Sequence, residues 1–256
     1  MGVAPALLAT LAAGGRVTRL ALDLIFPPRC VGCGEFETLL CEVCRADLKP
    51  LAEGCRRCGR PDMVSTHHGW CRDCVGRRLG FASAGSAFAY EGVAQELVVA
   101  LKYGGQKQVA EPMAEAAADV FRRCLARPGL PIVTWVPSHP AVTRERGYNQ
   151  AEVLARALAC RSEVEHVMPL ARKVKRTAHQ QALSREERAG NLAGAFVGFE
   201  SPVSFGDEAW VMLVDDVFTT GATSSEVASA ITARSGLEVH VFTFARALGE
   251  VPCFTD

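Results

Sequence analysis

The sequence is poor in the features that mark general nucleic-acid-binding proteins and disordered proteins. Its 256 residues carry 28 basic and 28 acidic side chains, so the formal net charge is zero. This balance argues against a protein that binds polyanions without specificity, because such proteins are strongly basic. Aromatic residues make up only 7% of the chain, and no low-complexity tract of disordered character is found.

Long apolar runs are also scarce. Residues 3–13 are apolar, but the run is too short to span a bilayer and lacks the basic residues that precede the core of a signal peptide. Residues 16–26 continue with apolar side chains on one helical face. We therefore interpret residues 1–26 as an amphipathic helix and expect no transmembrane segment. The alternative is a signal peptide.

Cysteine, by contrast, is abundant. Eight of the 11 cysteines form four Cys-x2-Cys pairs between residues 30 and 74. Such pairs bind metal as thiolates and belong to the reducing cytosol, so we predict a cytoplasmic protein. Two tetrahedral zinc sites would use all eight thiolates and leave no position for water, which favours structural metal. The predicted ligands are Cys30, Cys33, Cys41, Cys44, Cys55, Cys58, Cys71 and Cys74.

The spacing leaves open which pairs share a metal. Consecutive pairing gives a double zinc ribbon, and the alternative joins the first pair with the third and the second with the fourth. Each zinc held by four thiolates carries two net negative charges. Residues 30–80, with eight basic and seven acidic side chains, would therefore be net negative with two zincs bound. This favours a structural or partner-docking role over an electrostatic grip on nucleic acid.

The central motif is VMLVDDVFTTGAT at residues 211–223. Its four apolar residues predict a buried strand of a parallel sheet, and residues 224–234 predict a helix after a turn of small residues. The adjacent acids Asp215 and Asp216 thus lie where a strand ends and a helix begins. Open α/β sheets bind their ligands at such positions.

The chemistry of this motif indicates a ribose that carries a 5′-phosphate. Backbone N–H groups of a small-residue loop that enters a helix converge on a phosphate, which the helix dipole also attracts. Two neighbouring carboxylates fit if they accept hydrogen bonds from a sugar diol or hold a divalent cation. The alternative is an acidic strand end that caps the helix. The predicted phosphate-binding residues of the motif are Val217, Phe218, Thr219, Thr220, Gly221, Ala222 and Thr223.

Residues 211–223 resemble the phosphoribosyl-pyrophosphate (PRPP) signature of type I phosphoribosyltransferases. The string VPSHPAVTRERGYNQAEVLA at 136–155 and the cysteine-rich front resemble the ComF family, which includes ComFC and GntX proteins. The resemblance extends from about Leu24 over nearly all of the chain. It implies an α/β phosphoribosyltransferase-like domain with a flexible hood after the zinc module. The predicted domains are 1–26 (helix), 27–79 (double zinc ribbon), 80–249 (phosphoribosyltransferase domain) and 250–256 (tail).

The resemblance also implies a pyrophosphate turn after the strand predicted at 132–136. Ser138 and His139 form this turn, and Arg144 and Arg146 follow in a loop, where arginine suits phosphate oxygens. We favour a turn residue over a catalytic base for His139. Lys102 ends a predicted helix, as either a surface lysine favoured by the helix dipole or a phosphate contact.

Residues 172–195 are polar and basic with no clean period, and we interpret them as the hood, an active-site lid. Within it Arg172, Gln180, Arg188 and Asn191 match the family pattern, and Arg188 joins Asp215 and Asp216 as a catalytic candidate. A solvated loop is the alternative. The predicted strands are 83–90, 132–136, 164–170, 195–199, 207–217 and 237–246, in a mainly parallel sheet.

An enzyme of this kind would displace pyrophosphate from C1 of PRPP with a nitrogen nucleophile, while Mg²⁺ neutralises the leaving group. The alternative is a non-catalytic nucleotide-sensing or partner-binding adaptor on the same fold. The resemblance to ComF proteins also implies a role in DNA uptake, with single-stranded DNA or a DNA-uptake helicase as partner. The basic hood contains no interleaved aromatic residues, so strong direct DNA binding is only weakly supported.

Overall fold

The computed structural model describes residues 27–61, 69–175, 194–199, 206 and 208–248. The chain divides into two compact units, Met1–Asp47 and Leu48–Asp256. The described part of the first unit contains the short helix α1 (Glu42–Ala46), which begins at Cys41. The helix predicted for residues 1–26 and the tail 250–256 lie outside the described residues. The predicted domain boundaries stay a prediction.

The second unit contains the regular α/β elements. In chain order these are β1 (Ser83–Ala89), α2 (Gly92–Tyr103), α3 (Ala110–Leu125), β2 (Leu130–Trp135), α4 (Pro140–Arg146), α5 (Gln150–Arg161), β3 (Ala171–Lys173), β4 (Phe196–Gly198), β5 (Ala209–Phe218), α6 (Ala222–Ser235) and β6 (Glu238–Arg246). Short 3-10 turns cover Arg72–Cys74 and Lys107–Val109.

The main sheet has the strand order β1-β6-β5-β2, and all of its strand pairs are parallel. The prediction of a mainly parallel α/β fold is confirmed. The two central strands, β5 and β6, are almost entirely buried, as expected for strands covered on both faces. Because every strand runs in the same direction, their carboxyl ends meet at one edge of the sheet.

Helices cover the sheet and complete the core. Helix α3 packs on α5, and α5 packs on β2 and β5. Phe121 of α3 meets Phe242 of β6 edge to face, with ring centroids 4.9 Å apart. Helix α6 packs on β6 and on β4, which pairs antiparallel with β3 in a separate two-stranded sheet. This packing holds β5 and β6 in fixed positions, and the residues at the ends of these strands are fixed with them.

Short irregular segments cover both outer edges of the main sheet. Beside β1, Ala89 N donates to Lys49 O at 2.9 Å, and Leu51 N donates to Ala87 O at 3.0 Å. Beside β2, Val133 bonds with residues 166 and 168, and a single parallel bridge joins Val133 to Val167.

The strand predicted at 164–170 is therefore wrong, because only one bridge forms there. After Met168 the backbone hydrogen bonds to β2 do not continue. Leu170 N donates instead to the Thr134 hydroxyl at 3.2 Å, so the regular pairing ends.

Two further predictions of local structure are corrected. Arg144 and Arg146 do not lie in a loop but in α4, which begins at Pro140 and ends at Gly147, whose φ is 86°. Arg172, predicted in the hood, lies in β3 and pairs with Val197. The rest of the predicted hood, apart from 173–175 and 194–195, lies outside the described residues, including Gln180, Arg188 and Asn191.

Asn149 fixes the junction between β2 and α5. It is buried, its Oδ1 accepts a hydrogen bond from Ala151 N at 3.0 Å, and its Nδ2 donates to Val136 O at 3.0 Å. Asn149→Ala removes the cap of α5 and leaves a buried carbonyl without its donor. We expect a loss of about 2 kcal/mol in the free energy of unfolding, measured with urea.

Asn149→Ser is the control for this prediction. Serine still caps the helix but does not reach Val136, so its loss should be smaller. Equal stability of the alanine variant and the wild type would contradict the role of Asn149.

Candidate functional site

A cleft of about 750 Å³ opens at the carboxyl ends of β2 and β5. It is lined by the end of β5, the first turn of α6, the turn after β2 and the end of α2. The structure thus brings together elements that are far apart in the sequence. The predicted site residues that line the cleft are Lys102, Ser138, His139, Arg146, Asp215, Asp216, Val217, Phe218, Thr219, Gly221, Ala222 and Thr223.

Two predicted site residues lie outside the lining of the cleft, and a third cannot be placed. Arg144 lies on α4 outside the described lining of the cleft. Thr220 also lies outside it, and its Oγ1 accepts a hydrogen bond from Ala222 N at 3.4 Å, so the hydroxyl supports the loop. Arg188 lies outside the described residues.

The two acids at the end of β5 have different environments. Asp216 is buried, and its Oδ1 lies 2.9 Å from Lys102 Nζ. Its Oδ2 is also buried and has no hydrogen-bond partner among the described residues. Asp215 is half-buried, and its Oδ1 accepts a hydrogen bond from Asp216 N at 2.9 Å. One buried oxygen and one half-buried carboxylate are therefore left to meet a ligand, which fits a sugar diol or a hydrated divalent cation.

The electrostatics of this pair follow from burial. Burial and the negative charge of Asp216 raise the pKa of Asp215 to about 7, although Lys102 and Lys173 oppose this shift. Burial lowers the pKa of Lys102, but the attraction of Asp216 outweighs it, and the net pKa lies above its ordinary value. Lys102 is therefore a charged group held inside the cleft.

The loop between β5 and α6 has the geometry of an anion site. Gly221 has a φ of 75°, and a Cβ added there would lie 2.6 Å from Phe218 Cζ, so the turn requires glycine. Helix α6 follows, with no acidic residue in its first turn and no side-chain hydrogen bond at its cap. Ala222, Thr223 and Ser224 of that first turn line the cleft, and the amides at the start of a helix suit a phosphate.

The turn after β2 is held by side-chain hydrogen bonds. His139 caps α4, and its Nδ1 accepts a hydrogen bond from Ala141 N at 3.2 Å. Ser138 Oγ donates to Gln150 Oε1 at 3.3 Å, and Arg146 donates to the same oxygen. His139 thus has the local role of a turn residue, and Gln150 holds Ser138 and Arg146 at the cleft.

Several lining residues were not predicted from the sequence. Tyr103 follows Lys102 on the same helix end, and Gln150 belongs to the RGYNQ string, so both had a local signal. Lys173 and Phe196 come from β3 and β4 and are paired across that hairpin, which no periodicity indicated. The remaining unpredicted lining residues are Tyr90, Gly105, Val136, Pro137, Val142, Glu145 and Ser224.

The cysteines form two four-membered clusters. Cys30, Cys33, Cys41 and Cys44 lie in the first unit, and Cys55, Cys58, Cys71 and Cys74 lie in the second. Within each cluster the sulfur atoms lie within 4.8 Å of one another, so each set fits one tetrahedral zinc. The prediction of consecutive pairing is confirmed, and the interleaved pairing is wrong.

Backbone amides favour the thiolate form of one cysteine in each cluster. Burial raises the pKa of Cys30 and of Cys55, but hydrogen bonds from backbone amides outweigh it. The pKa falls to about 6 for Cys30 and about 7 for Cys55. Cys71 N, for example, donates to Cys55 Sγ at 3.2 Å. Deprotonated sulfur is the form that binds zinc.

Fold and site together define an α/β protein with a phosphoribosyltransferase-type signature at a strand end and two structural zinc sites. The model of the double zinc ribbon domain matches residues 21–75. The chain is 28% identical over 216 residues to DNA utilization protein YhgH of Salmonella typhi, covering 82% of this chain and 91% of that protein. It is 27% identical over 227 residues to competence protein F of Haemophilus influenzae, covering 86% and 97%.

Competence protein ComFC of Bacillus subtilis is 26% identical over 191 residues, which cover 72% of this chain and 74% of that protein. The resemblance inferred from the motifs is confirmed, because this chain is similar over most of its length to proteins named competence protein F, ComFC and DNA utilization protein YhgH. A solved structure of hypoxanthine phosphoribosyl transferase from Trypanosoma cruzi aligns with 54% of this chain at 16% identity and a TM-score of 0.27. The alignment spans 64% of that chain, just under two thirds of its length.

No helix in the part of the chain that the structure describes is long and apolar enough to cross a membrane.

The raised pKa of Asp215 predicts a pH-dependent effect of Asp215→Asn on stability. The unfolded carboxyl loses its proton near its ordinary pKa of 3.8, whereas the folded one keeps it until about pH 7. The native carboxyl therefore contributes most to stability below pH 4, and this contribution is lost as the pH rises through 7. The melting temperature of Asp215→Asn relative to the wild type should thus rise between pH 5 and pH 8. If the difference in melting temperature between Asp215→Asn and the wild type did not change with pH, the raised pKa of Asp215 would be contradicted.

The two clusters predict two zinc ions per chain in protein purified without chelator, measured by elemental analysis. Cys33→Ser should remove one zinc from the first cluster, and Cys74→Ser one from the second. Retention of both ions in either variant would contradict the ligand assignment.

Proposed function

We propose that this protein binds PRPP, or a related ribose 5-phosphate ligand, together with Mg²⁺ in the cleft at the end of β5. The observation that carries this proposal is the meeting, in one cleft, of a carboxylate pair and the phosphate loop at residues 219–223, all of which except Thr220 line the cleft. Lys102 and Arg146 add two cationic groups to the same cleft. A ligand with both a diol and phosphates suits all of these groups at once.

Different residues of the cleft bind different parts of the ligand. The loop amides and the first turn of α6 hold the 5′-phosphate, where the helix dipole favours negative charge. Asp215 and the free Oδ2 of Asp216 accept hydrogen bonds from the ribose hydroxyls or from water on the cation. Arg146, held by Gln150, donates to the pyrophosphate near Ser138.

Catalysis is the second step of the proposal. A nitrogen nucleophile forms a bond to C1 of the ribose, the bond from C1 to the pyrophosphate oxygen breaks, and pyrophosphate leaves with the electron pair. The proton of the nucleophile passes to solvent. Mg²⁺, when bound, neutralises charge on the leaving group. The chain itself supplies position and charge, since Lys102 and Arg146 both line the cleft that holds the acids.

The relatives suggest the biological setting. Because they are named competence proteins and DNA utilization proteins, we propose that the bound ligand serves DNA uptake or use. Single-stranded DNA or a DNA-uptake helicase would then be the partner. A non-catalytic adaptor that binds PRPP without turnover is the competing form of the proposal.

Calorimetric titration of PRPP with Mg²⁺ into zinc-loaded protein tests the binding site. The double variant Asp215→Asn/Asp216→Asn should bind at least about 100-fold more weakly, because two carboxyl acceptors are lost while the loop remains. Glu96→Gln is the matched control, since Glu96 is an exposed carboxylate on α2 that is not part of the cleft lining. Its affinity should equal that of the wild type.

Equal affinity of the wild type and the double variant would overturn the assignment of the acids, and no binding to the wild type would overturn the proposal. Release of pyrophosphate in the presence of nitrogen acceptors then separates the enzyme from the adaptor.

A further inference from the structure

The second cysteine cluster lies in the same compact unit as the cleft, and two arginines connect it to the phosphate loop. Arg246 is the last residue of β6 and pairs in register with Phe218, the last residue of β5. It is only 6% exposed. A buried guanidinium is costly unless its donors are satisfied and its charge is compensated.

The partners of Arg246 are on the cluster. Its Nη1 donates to Cys58 O at 2.5 Å, and its Nη2 lies 3.7 Å from Cys58 Sγ. Among the described residues, the guanidinium of Arg246 makes hydrogen bonds with Cys58 and with no carboxylate. Four thiolates around one Zn²⁺ carry two net negative charges, so a loaded cluster supplies the charge that compensates Arg246.

The other side of Arg246 faces the phosphate loop. Its guanidinium stacks over the ring of Phe218, 4.5 Å from the centroid, and Phe81 meets the same ring edge to face. Phe218 in turn fills the space beside Gly221, where any Cβ would collide with the ring. The ring therefore leaves room only for glycine in the left-handed turn from which α6 begins.

A second link leaves the cluster from its C-terminal flank. Arg77 N donates to Cys74 O at 3.4 Å, and Arg77 Nη2 donates to Thr220 O at 3.2 Å. Three residues further on, Gly80 N donates to Ser225 Oγ at 2.9 Å. A Cβ at Gly80 would lie 2.2 Å from Ser229 Oγ, so this flank packs directly on α6.

We propose that Arg246 and Arg77 are positioning residues that make the phosphate loop depend on the metal in the second cluster. With zinc bound, Arg246 holds Phe218 under Gly221, and Arg77 holds the Thr220 carbonyl. Without it, Cys58 and Cys74 lose their fixed positions and the loop loosens. The proposed link runs through the second cluster only. This inference rests on the proposed function for its ligand, but the link between cluster and loop can be measured without any ligand.

The test compares matched variants by hydrogen exchange and by calorimetry with PRPP and Mg²⁺. Arg77→Ala should exchange the amides of residues 219–225 at least fivefold faster and bind at least fivefold more weakly, with both zincs and the melting temperature retained. Arg78→Ala is the control, because it removes the neighbouring exposed arginine. Arg77→Lys, which keeps a donor, should recover part of the affinity.

The metal itself is tested with Cys74→Ser and Cys33→Ser, which each remove one zinc. Only Cys74→Ser should speed loop exchange. Equal loop exchange in these two variants, together with unchanged exchange in Arg77→Ala, would overturn the inference. If Cys74→Ser does not fold, the comparison of Arg77→Ala with Arg78→Ala decides alone. Faster loop exchange in a protein that never binds PRPP would sink the proposed function and leave the inference standing.

Discussion

The parallel pairing of β5 between β2 and β6 is the constraint on which the rest of the structure depends. In this arrangement the backbone bonds are satisfied by neighbours on both sides, and both faces are covered by helices, so the strand has no freedom to shift. A slip of one residue would move Asp216 out of its buried position and bury Asp215 in its place. The register therefore decides which acid meets Lys102 and which reaches into the cleft.

The ion pair between Lys102 and Asp216 then sets the charge of the cleft. A buried carboxylate is costly when unpaired, and here its partner Lys102 lies in the last turn of α2. The neighbouring acid Asp215 has a pKa of about 7, so its carboxyl gains or loses a proton near neutral pH. As a result the cleft is close to electrically balanced near neutral pH, and a ligand that brings its own cation does not face two uncompensated charges.

Local chemistry explains how much could be predicted from the sequence. The apolar run at 211–214 and the motif after it predicted the strand, the turn and the helix. The cysteine spacing predicted the eight ligands, but only the structure showed which pairs share a cluster. Helix α4 was missed because none of its residues is buried, so it has no apolar period. The partner of Lys102 could not be predicted, because Asp216 is distant in the sequence and meets it only through the fold. The same holds for Arg246 and Cys58, whose contact no spacing reveals.

The backbone segment at residues 49–51 has a consequence for fragments of this protein. It occupies the outer edge of β1, where it satisfies amide and carbonyl groups that would otherwise be open. A fragment that begins at Gly80 keeps every strand of the main sheet but exposes this edge along with the apolar side chains beneath it. Open, regular edges of this kind add further strands from neighbouring molecules. We therefore expect such a fragment to self-associate. In the whole chain, residues 49–51 cover the edge of β1 and so prevent this association.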